Sequence, residues 1–93
     1  MIPPVITKPP SDTTADLYGE VELTCVATGN PQPIIHWFKD GKRIFMSNAD
    51  PPTLLIEEMG LDNRGLYHCE ATNAAGKDVS VGSVLNLKSK SIS

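Results

Sequence analysis

The stretch CVATGNPQPIIHWFKDG, residues 25–41, holds one of the two cysteines and the only tryptophan of a 93-residue chain. Two prolines, Pro31 and Pro33, stand between Cys25 and Trp37. Neither proline can donate a backbone hydrogen bond, so a continuous strand pairing cannot run through them. The chain is therefore expected to pair as one strand up to the corner and to cross into a second sheet after it. Ile35-His36-Trp37 alternates apolar and polar residues, as does Val21-Glu22-Leu23-Thr24-Cys25 on the other side. The spacing is a strand, a sheet-changing corner, and a second strand that brings Trp37 toward Cys25.

The same pattern continues along the chain. Asp40-Gly41 marks a tight turn. Leu54-Leu55-Ile56 is a short apolar run, Tyr67 to Ala71 alternates again, and Val79 to Leu87 carries the last strand signal. Turn residues recur about every ten positions, as expected of a β-sandwich. Glu57 to Asn63 reads as a turn, at most one helical turn. Alternation also sets facing: if Cys25, Trp37 and Cys69 point inward, so do Val21, Leu23, Ile35, Tyr67 and Ala71.

Size, charge and cysteine count bound the function. Ninety-three residues make one domain, near the lower end of what an apolar core stabilises alone. The net charge is −3 and the basic residues are scattered, which leaves no footprint for phosphate-backbone binding. No stretch approaches the roughly 20 apolar residues of a membrane span. The proline-rich start and the polar end read as linkers, giving residues 1–4 as lead-in, 5–88 as the domain and 89–93 as tail, cut from a longer chain. The two cysteines lack neighbours at zinc-ligand spacing, leaving one disulfide or two buried thiols. A bridge between Cys25 and Cys69 would close a loop of about 45 residues, worth roughly 4 kcal/mol in the chain-entropy picture.

At this density of signals the chain resembles the I-set domains of the immunoglobulin superfamily. Leu23-x-Cys25-x-Ala27-x-Gly29-x-Pro31-x-Pro33-x-x-x-Trp37-x-Lys39-Asp40-Gly41 is similar to the family's strands B and C. Leu54-x-Ile56-x-x-Met59 and Gly65-x-Tyr67-x-Cys69-x-Ala71-x-Asn73-x-x-Gly76 are similar to strands E, F and the turn into G. The resemblance implies an all-β, Greek-key, immunoglobulin-like β-sandwich with Leu23, Trp37, Ile56 and Tyr67 as its core signature. It also implies a Cys25–Cys69 bridge and a tyrosine corner at Tyr67. Two departures stand out. Asn63 occupies the place of the family's usual aspartate, and no arginine stands near a plausible strand D, Arg43 being the one substitute cation. A short or absent strand D is expected, replaced by the loop Ser47–Pro52. The chain also has one residue more than expected after Gly76, which predicts a bulge or a longer turn.

Nothing in the sequence predicts catalysis: the cysteines belong to the core, the serines cluster in loops and the tail, and Gly29, Gly41, Gly60, Gly65 and Gly76 are each explained by a turn. No cofactor and no metal are expected. His36 and His68 neighbour inward residues and so face outward, with Glu70 nearby. A surface metal site or pH-sensitive contact is the sharp reading, and two solvated imidazoles the ordinary one. Ile34 and Phe38 face the same way, so Ile34, His36, Phe38, His68 and Glu70 form a candidate protein-binding face. Phe45 and Met46 either extend it or fold onto the core. No N-glycosylation sequon and no Arg-Gly-Asp triplet is present.

Three functions fit these features. The first is an extracellular recognition or adhesion module, one bead of a tandem array on a receptor ectodomain, contacting proteins and neighbouring domains. The second is an intracellular scaffold domain of sarcomere or cytoskeleton. The third is a passive spacer in a matrix protein. Disulfide use favours an extracellular or cell-surface location.

Overall fold

The computed structural model describes residues 1–47 and 52–88. Its strands are β1 (Ile2–Lys8), β2 (Thr13–Ala15), β3 (Val21–Thr24), β4 (Val26–Asn30), β5 (Ile34–Lys39), β6 (Lys42–Ser47), β7 (Thr53–Ile56), β8 (Gly65–Asn73), β9 (Gly76–Val79) and β10 (Ser83–Leu87). A single 3-10 turn, Leu61–Asn63, falls where one helical turn was expected. One layer is a sheet ordered β2-β10-β8-β5-β6, with β9 also paired to β8. The other is built along residues 21–30, where β3 pairs with β7 and β4 pairs with β1, both antiparallel. The chain changes layer between β4 and β5, at the Pro31–Pro33 corner.

The inner faces of both layers supply the core. Val21, Leu23, Cys25 and Ala27 meet Ile35, Trp37, Tyr67, Cys69, Ala71 and Leu85, with Leu54 and Met59 closing one side. Every residue that alternation turned inward is buried. Cys25 and Cys69 are joined by a disulfide across the layers, with Cα atoms 6.6 Å apart. Trp37 is registered directly opposite Cys69, which sets the indole beside the bridge.

Two stretches form strands without an alternation signal. In β1 the prolines Pro3 and Pro4 sit at a register irregularity, between the Ile2–Asn30 and Val5–Thr28 pairs. An edge strand tolerates their missing donors at such a point. The short β2 runs parallel to β10 and is joined to it through Leu85–Thr13, Asn86–Thr14 and Leu87–Ala15. Ser47, expected to open the loop in place of strand D, instead ends β6 and is paired with Ile35. Residues 48–51 of the expected Ser47–Pro52 loop lie outside the described residues. The last strand is interrupted at residues 80–82, separating β9 from β10, which places the extra length within the strand rather than in the turn after Asn73.

The Asn63 substitution has a local explanation. Its side-chain oxygen accepts the Gly60 N–H at 2.9 Å, a bond that a neutral amide makes without any cation. Arg43, considered as a substitute partner, instead lies exposed in β6 opposite Phe38. The Asn63 carbonyl accepts the Tyr67 hydroxyl at 2.6 Å, which forms the tyrosine corner. Burial raises the Tyr67 pKa, with the negative charge of Asp40 adding to it, so the phenol stays a neutral donor.

Because this phenol is buried and its acceptor would be left unpaired, Tyr67→Phe should lower unfolding stability by about 1–3 kcal/mol. Urea unfolding measures it: the midpoint should fall with the slope unchanged. An unaltered midpoint would mean that the corner bond adds nothing.

Candidate functional site: the outer face of the larger sheet

The inward setting of Trp37 and Ile35 obliges Ile34, His36 and Phe38 to face out of β5. Register then assembles the face row by row. Met46 of β6, His36 of β5, Glu70 of β8 and Val79 of β9 lie side by side across four strands. Arg43, Phe38 and His68 make the next row, and Ile34, Thr72 and Lys77 the one on the other side. The five residues singled out in the sequence are thus brought together on one surface.

The row nearest the turn between β5 and β6 carries a stacked pair. The Phe38 and His68 rings lie 4.6 Å apart at the centroids and 8° from parallel. Both are half-buried, while Ile34, Met46 and Val79 are exposed elsewhere on the face. Glu70, set between His36 and Val79 in the middle row, is paired with Lys77 at 3.5 Å. Met46, Val79 and Lys77 join the face only through strand pairing. Alternation within one segment cannot reveal such neighbours. Phe45 is registered opposite Trp37, on the other face from Met46, yet it is 46% exposed at the sheet edge.

His36 is less free than a solvated imidazole. It is half-buried, and its Nε2 shares a hydrogen bond with the Thr72 hydroxyl at 3.2 Å. Its Nδ1 is buried without a partner among the described residues. A bare ring nitrogen is cheaper to bury than an N–H, which favours the tautomer that donates from Nε2 to Thr72. Among the described residues no group of three or more His, Cys, Asp or Glu is placed to hold a metal ion.

The face ends at the turn between β5 and β6. Asp40 and Gly41 have φ of 51° and 82°, the pair of positive values that a two-residue hairpin turn requires. The turn is tied to β8 from both sides: Asp40 N–H donates to the Leu66 carbonyl at 2.7 Å, and Leu66 N–H donates to the Asp40 carboxylate at 3.0 Å. That backbone donor holds the Asp40 carboxyl below its ordinary value of 3.8. Desolvation works against it, and Lys39, at 3.5 Å, works with it.

With this geometry in place, the comparisons with known proteins are informative. The family model for the immunoglobulin domain matches residues 3–73. The chain belongs to the immunoglobulin superfamily. This Ig domain is 39% identical over 87 residues to human Hemicentin-1, covering 83% of this chain and 2% of that protein. It is 37% identical over 98 residues to the neural cell adhesion molecule L1 of Takifugu rubripes, covering 90% of this chain and 8% of L1. A titin homolog of Caenorhabditis elegans matches at 39% over 80 residues, 78% of this chain and 0% of its own length. Among solved structures, the N-terminal Ig1-2 module of the Drosophila receptor protein tyrosine phosphatase DLAR superposes with a TM-score of 0.84 at 33% identity. That match covers 92% of this chain and 46% of the DLAR chain. The Ig domain spans no more than 8% of the length of these three curated relatives.

The lowered Asp40 pKa carries a sign for acid stability. A depressed carboxylate contributes stability above its unfolded-state value and loses it as the pH falls through the folded value. Unfolding midpoints should therefore decline on acidification below about pH 4. Asp40→Asn, which tolerates the same backbone conformation, should make that decline shallower. An identical acid profile in both proteins would remove Asp40 from the account.

Proposed function

We propose that this Ig domain is a non-catalytic protein–protein recognition module of a cell-surface or secreted multidomain protein, one bead of a tandem array. It engages its partner through the outer face built on Ile34, His36, Phe38, His68 and Glu70. The observation that carries this reading is the Phe38–His68 stack on an open sheet face that also exposes Ile34, Met46 and Val79. A half-buried stacked pair leaves part of its rings open, and supplies a flat, rigid anchor for another surface. Likeness to L1, named as a cell adhesion molecule, and to the DLAR receptor module supports the same reading. The Cys25–Cys69 bridge supports an oxidising compartment, since such bridges are rare in the cytosol.

The likeness to a titin homolog favours a second reading, an intracellular scaffold domain of sarcomere or cytoskeleton. There the two cysteines would remain thiols and the sheet face would bind scaffold components or nothing. In a passive spacer, by contrast, no substitution on the face would matter to any association.

The test is a binding screen against arrayed extracellular domains, the domain itself included, run in parallel with the wild type and Phe38→Ala. Association through the face should weaken by about 2 kcal/mol or more, roughly 30-fold, with the domain still folded. Binding that is indifferent to Phe38→Ala would overturn the assignment of this face.

A further inference from the structure

The sulfur atoms of this chain are divided sharply by burial. It has two cysteines and three methionines. Cys25 and Cys69 are already joined as a cystine, and both are fully buried. Met59 is fully buried as well, inside the core cluster. Met46 is 58% exposed, so apart from Met1 it is the thioether that solvent and small oxidants reach. Susceptibility of sulfur to oxidation follows exposure.

The position of Met46 gives that exposure a consequence. It lies in β6, which among the described residues pairs with β5 and with no other strand. Register sets it opposite His36, in the row that Glu70 and Val79 continue across the outer face. Met46 belongs neither to the buried cluster nor to the half-buried residues packed against it, so its chemistry can change without disturbing the core. A thioether is apolar and pliable, which suits a contact surface. Its sulfoxide is polar and chiral, with an acceptor oxygen that costs free energy to cover unless the covering surface supplies a donor.

We propose that Met46 is a site of reversible oxidation by hydrogen peroxide, through which part of the outer face changes from apolar to polar while the domain stays folded. The thioether sulfur attacks one peroxide oxygen, the O–O bond breaks and an S–O bond forms. Sulfur is oxidised by two electrons, and the released hydroxide takes the proton left on the transferred oxygen and departs as water. Both sulfoxide epimers form at an open position, so reversal requires the two stereospecific methionine sulfoxide reductases. They return the thioether with a dithiol as reductant, which becomes a disulfide, and the oxygen leaves as water. The consequence for binding rests on the recognition reading above: a partner seated on this face would lose apolar contact at Met46 when it is oxidised.

The experiment treats the folded 93-residue chain and its Met46→Leu variant with hydrogen peroxide, and follows each methionine by peptide mapping. Met46 should gain one oxygen at least about tenfold faster than Met59, whose oxidation waits on opening of the core. The oxidised wild type should be retained less on a hydrophobic matrix at an unchanged unfolding midpoint, and the two reductases should restore its retention. Met46→Leu should show no such change in retention, which separates Met46 from Met1. Equal rates at Met46 and Met59, unchanged retention, or a lower midpoint with Met46 oxidised and Met59 intact would overturn the proposal. A partner whose binding falls with Phe38→Ala should also bind the oxidised wild type less tightly, and the peroxide-treated Met46→Leu variant as before. A Phe38-dependent partner indifferent to Met46 oxidation would overturn the consequence for binding and leave the recognition face standing. Loss of every Phe38-dependent partner would instead defeat the recognition reading, and mapping, retention and midpoint would still decide the oxidation site.

Discussion

The cystine between Cys25 and Cys69, with the Trp37 indole opposite Cys69, is the interaction on which the remaining structure depends. A chain of this length has little core, and residues 21–30 and 65–73 come from different layers. Linking them removes conformational freedom from the unfolded chain, and the indole fills the space around the link. Once these three side chains point inward, the pleat dictates every neighbour. Leu23 and Ala27 follow Cys25, Ile35 follows Trp37, and Tyr67 and Ala71 flank Cys69 within the buried set.

The outer face is the complement of that decision. Phe38 and His68 are the outward neighbours of Trp37 and Cys69, and the register that sets Trp37 against Cys69 also sets Phe38 against His68. The core and the outer face are thus two sides of one pairing. A slip of one residue would exchange them, turning Phe38 inward and the indole to water. The bonds between Asp40 and Leu66 anchor this register at the turn, and the Tyr67–Asn63 bond anchors the start of β8.

Much of this was legible in the sequence because buried strands in a two-layer sandwich carry a period of two. The Pro31–Pro33 corner and the Asp40-Gly41 turn are written in residues whose backbone chemistry is specific. What could not be read depends on partners distant along the chain. β1 is held by pairing with β4, by Asp78 accepting the Ile6 N–H and by Asn73 donating to the Ile2 carbonyl, none of which leaves a mark in residues 2–8. β2 is three residues long and stays in place through β10. The His36–Thr72 bond joins residues 36 apart, so His36 read as solvated when it is engaged. Tyr18 has a φ of 66°, a backbone property that no residue type announces.

The most direct measurement of the central claim is a free-thiol count on unfolded, non-reduced protein from an oxidising source, paired with unfolding midpoints with and without reductant. The account predicts no free thiol and a loss of about 4 kcal/mol on reduction, as expected for a bridge closing a loop of this length. Two free thiols in a folded domain whose midpoint ignores reductant would contradict it. The layers would then be held by the apolar core alone, and the intracellular scaffold reading would replace the extracellular one.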